Sequence, residues 1–61
     1  MDDRDALFLG AQWLYHVRAA GGVVHSRAQD LKLARTYAEA YGQAGGPQVA
    51  LVQQWIDFLS K

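Results

Sequence analysis

With no cysteine in the chain, metal binding or proton transfer would fall to two histidines and six acidic residues. His16, Asp5 and Gln12 share a thin polar stripe on one helical segment, and His25 lies in the loop that follows. A zinc-binding helix usually presents its histidines at i and i+4. Here the two histidines are not so spaced, and Asp5 stands about 16 Å from His16 at 1.5 Å rise per residue. The expectation is no metal site and no cofactor.

The other candidates have simpler uses. Gly42, Gly45 and Gly46 do not match a phosphate-cradling or dinucleotide-binding spacing, and no strand precedes them. Ser26 reads as a helix N-cap and Ser60 sits at a helix end, so neither is a nucleophile. Asp2, Asp3 and Asp5 belong to the start of a helix, Asp30 belongs near Arg27 in a first turn, and Asp57 faces solvent. No catalytic residue is expected, and the chain reads as non-enzymatic.

The elements that carry these residues must come from 61 residues without a disulfide. A chain of this length forms one domain, residues 1–61, and buries only ~60% of its unfolded surface. Hydrophobic residues make up 51%, which excludes a disordered chain. Six acids balance six bases, so the electrostatic footprint of a general nucleic-acid binder is missing. The acidic run Asp2, Asp3, Asp5 stands where a secretory signal would be basic. The apolar-leaning stretch from Ala6 to Tyr15 is about half the length of a membrane span. These features predict a cytoplasmic protein with no membrane contact.

Glycine divides the chain at Gly21-Gly22 and Gly45-Gly46, and the single proline, Pro47, follows the second pair. Glycine ends helices and proline opens them, so the sequence predicts helices over about 3–20, 27–43 and 47–60. Ser26 with Gln29 fits a capping box for the second. Short joints make sequential helices antiparallel neighbours. The expected fold is all-α, a small antiparallel three-helix bundle that self-association could complete.

Helical periodicity assigns the core to Leu9, Trp13, Leu14 and Val17 of the first helix, and to Leu31, Ala34, Ala38 and Tyr41 of the second. The third contributes Leu51, Val52, Trp55, Ile56, Phe58 and Leu59. Trp13 and Trp55 are the expected anchors between the outer helices. That leaves a second apolar arc on the first helix, with Phe8, Ala11 and Tyr15 flanked by Arg4 and Arg18. Aromatics with arginine at their margins resemble an interface hot spot. Arg4, Phe8, Ala11, Tyr15 and Arg18 are therefore the expected contacts of a protein partner or of a second copy in a homo-oligomer. The alternative is a DNA-binding helix-turn-helix, but its recognition helix would offer Gln48, Gln53, Gln54, Asp57, Ser60 and a single base, Lys61, with no arginine. No nucleic-acid binding is expected.

Overall fold

The computed structural model describes residues 3–61, and Asp2, assigned above to the first helix start, lies outside them. Three helices follow one another, α1 (Asp3–Ala19), α2 (Arg27–Gln43) and α3 (Val49–Leu59), and each packs against the other two. The all-α three-helix bundle expected from the glycine punctuation is the observed fold.

Both glycine pairs end their helices in the same way. Gly22 N–H donates to Val17 O at 2.9 Å and Gly21 N–H to Arg18 O at 2.9 Å. Gly46 N–H donates to Tyr41 O at 2.9 Å and Gly45 N–H to Gly42 O at 3.1 Å. This paired pattern is the Schellman motif, and its pivot residue must enter the left-handed region. Gly21 at φ +90° and Gly45 at φ +79° do so.

At the entry to α2 Ser26 is the N-cap, its Oγ accepting from Gln29 N at 3.2 Å, and of the expected capping box only this half is formed. The entry to α3 differs. Pro47 and Gln48 form a turn, and the helix starts at Val49 with Gln48 as its cap. The cause is Tyr41, whose hydroxyl accepts the Gln48 N–H at 3.1 Å. That bond gives an otherwise orphaned helix-start donor a partner and holds the chain in a non-helical turn.

The same ring lies against Gly46, where an added Cβ would fall 2.3 Å from Tyr41 Cζ. Gly46→Ala must therefore displace a buried aromatic ring, and overpacking of this kind costs about 1–3 kcal/mol. Chemical denaturation should show that loss. A variant as stable as the parent would mean the joint relaxes without moving Tyr41.

The centre of the bundle contains Ala11, Leu14, Ala34, Tyr41, Val52, Trp55, Ile56 and Leu59. Ala11 and Ala34, 1% and 0% exposed, are its smallest members. Around them Phe8, Tyr15, Leu31, Ala38 and Leu51 are packed as half-buried neighbours. The α3 face is close to expectation, although Phe58 is partly exposed at its edge.

On α1 the expected faces are exchanged. Leu9 and Trp13, assigned to the core, are 56% and 58% exposed. Phe8, Ala11 and Tyr15, assigned to the surface, pack inward. The physical reason is size. A Cβ on Gly10 would meet the Tyr37 ring at 3.1 Å, and Ala11 is shut inside, so α1 turns its thinnest side to its neighbours. Small residues let helix backbones approach, and the aromatics on either side then fill the remaining volume. An indole in place of Ala11 would hold α1 away from its neighbours.

Candidate functional site

The residues expected to touch a partner are brought together, but as part of the bundle interior. Phe8 meets Trp55 with ring centroids 5.1 Å apart and Tyr41 at 5.6 Å. Tyr15 stacks on Trp55 at 5.6 Å, with 20° between the planes, and meets Phe58 edge-on at 5.2 Å. These offset and tilted arrangements are those that aromatic quadrupoles favour. Phe8 and Tyr15 thus clasp Trp55 from α1, the role expected of Trp13. Trp13 does not anchor α1 against α3.

The two arginines are also drawn in. Arg4 is half-buried and its Nη1 donates to Gly45 O at 3.4 Å, joining the start of α1 to the α2–α3 joint. A cation at these terminal carbonyls is favoured by the helix dipole. Arg18 is half-buried too, and its Nη1 is closed to solvent without a hydrogen-bond partner. The arc is thus turned toward α2 and α3, with Ala11 buried and Arg4, Phe8, Tyr15 and Arg18 half-buried.

The face left outside is formed by Asp5, Ala6, Leu9, Trp13 and His16, all exposed. Leu9 and Trp13 are one helical turn apart and so lie side by side along the axis. Asp5 lies at the amino-terminal end of this strip and His16 at the carboxy-terminal end, each favourably placed for the dipole of α1. The signal was present in the sequence as the i, i+4 pair Leu9 and Trp13. Both sides of α1 are apolar, so hydrophobicity alone assigns this pair to the core.

A second site carries unexpected chemistry. Asp30, expected near Arg27 in the first turn of the second helix, is 1% exposed. Its Oδ2 accepts Val24 N–H at 2.8 Å and its Oδ1 accepts His25 N–H at 3.1 Å. His25 Nδ1 lies 3.5 Å from the same Oδ1. Burial pushes the carboxyl pKa up, but the Val24 and His25 amides and the His25 imidazole outweigh that effect and hold it below the ordinary value. The carboxylate is thereby committed to pinning the α1–α2 loop. No sequence pattern marks it, because acidic residues near helix starts are ordinarily exposed.

An open groove between α2 and α3 is lined by Arg35, Glu39, Gly42, Val49, Gln53 and Asp57. Gln53 Nε2 donates to Asp57 Oδ1 at 3.2 Å across one turn of α3. Among the described residues no three acidic or histidine side chains gather as a metal site requires. No described helix is long and apolar enough to cross a membrane. Comparison with protein-family models, curated proteins and solved structures gives no match, so the site rests on the residues and geometry described above.

Proposed function

We propose that this chain is a small non-enzymatic interaction module that acts through protein–protein contact, as an adaptor, inhibitor or assembly subunit. The observation that carries the reading is the outward face of α1, where Leu9 and Trp13 are both more than half exposed and adjacent. A large aromatic beside an aliphatic side chain is a typical centre for a protein interface. A very small bundle has little apolar material to leave in water, which makes this placement informative. Contact through this face is compatible with the fold, because it leaves the aromatic interior untouched.

The non-enzymatic part rests on the placement of titratable groups. Asp30 is occupied by loop amides, and His16 lies on the outward helix face away from any pocket wall described above. The exposed side of α3 carries Gln53, Gln54 and Asp57, which gives a DNA phosphate backbone little to bind.

The test is photo-crosslinking in the native host. A photoreactive residue at position 9 should give a discrete adduct that excess unlabelled protein competes away, whereas one at position 54 should not. Equal labelling from both positions, or none from position 9, would overturn the assignment of this face.

A further inference from the structure

The outward strip of α1 is asymmetric along its length. It has a carboxylate at one end, two large apolar side chains at the centre, and an imidazole at the other end. Asp5 and His16 are eleven residues apart, close to three complete turns, so they fall on the same flank of the helix within about 20°. Within one chain they are about 16 Å apart and cannot meet. Neither has an ion-pair partner among the described residues; His16 only lies against the Tyr15 ring, with centroids 5.5 Å apart.

A strip with this order of groups is complemented by a copy of itself turned end for end. A two-fold axis perpendicular to two antiparallel α1 helices returns each flank to the same side. If that axis crosses midway between Asp5 and His16, the centre falls between Gly10 and Ala11. If it is placed to oppose Leu9 to Trp13, the centre falls at Ala11. The two axis positions differ by half a residue, so the two registers differ by one residue, about 1.5 Å along the helix and within the reach of side-chain rotation. The apolar and polar contacts therefore select the same alignment, and the helix dipoles run in opposite directions in it.

We propose that the chain binds a second copy of itself through the outward face of α1, the two helices antiparallel, with Leu9 of each against Trp13 of the other and Asp5 of each against His16 of the other. This inference rests on the proposed role of that face and names its occupant. The patch is smaller than a standard protein interface, so the dimer is weak and exchanging.

Sedimentation of the purified chain from about 10 µM to 1 mM, the range suited to weak association, tests the proposal. The parent should shift from monomer to dimer, and Leu9→Ser should stay monomeric with unchanged helical circular dichroism. Asp5→Lys and His16→Glu should each weaken the dimer about 3- to 10-fold, because each alters two symmetry-related contacts. The double variant, which carries a cation at position 5 and an anion at position 16, should recover to within about 2-fold of the parent. A parent monomeric throughout, or a double variant weaker than either single one, overturns the proposal. If the parent is monomeric while position 9 crosslinks a different protein in the host, the self-association fails and the interaction role survives. Silence in both experiments removes both.

Discussion

Trp55→Ala should remove about 3–5 kcal/mol of folding stability, the range for deleting a buried large aromatic. At roughly 0.05–0.15 kcal/mol per residue, a chain of 61 residues holds only about 3–9 kcal/mol in total. The variant should therefore lose at least about a third of the total stability. The loss is large because Trp55 is gripped by Phe8 and Tyr15 of α1 while packing within the core, so its removal opens a cavity that three helices share. Trp13→Ala is the control, and as a surface change it should stay within about 0.5 kcal/mol of the parent. Urea denaturation followed by circular dichroism measures both. Similar losses from the two substitutions would contradict the inside and outside assigned to α1.

The second large effect belongs to Asp30. Asp30→Ala leaves the Val24 and His25 amides without their acceptor, and an unsatisfied buried donor costs about 1–3 kcal/mol. With two such amides at a part-buried loop, the expected loss is about 2–4 kcal/mol at neutral pH. The pH dependence follows from the direction of the shift. The folded-state pKa lies below the unfolded one, so the stabilisation is fully present above the unfolded carboxylate pKa and disappears as pH falls through the folded value. The parent and Asp30→Ala should therefore differ most near neutrality and converge in acid. A gap that is constant from neutral to strongly acidic pH would show that the carboxylate's charge is not what holds the loop.

The helices were legible because punctuation is local. Ser26 and the two glycine pairs end and begin segments whatever the rest of the chain does, and α2 has the predicted limits. The orientation of α1 was not legible from hydrophobicity, since Leu9 and Trp13 compete with Phe8 and Tyr15 on equal terms. Packing distance decides between them. Gly10 and Ala11 permit the approach that Tyr37 and Ala34 of α2 require, and that information resides in side-chain volume. The start of α3 depended on the Tyr41 hydroxyl reaching seven residues along the chain, and the role of Asp30 depended on the loop folding back over it. Both are tertiary contacts with no repeating signature.

Those two contacts have a common consequence for motion. The first joint is fastened to the buried Asp30 and the second to the buried Tyr41, so neither is a free hinge. Loop amides normally open independently of the core, in local fluctuations of low free energy. Here the Val24 and Gln48 amides are bound to side chains that move only when the interior loosens. Both joints are thus tied to the interior through α2, and opening either one requires its own buried anchor to let go.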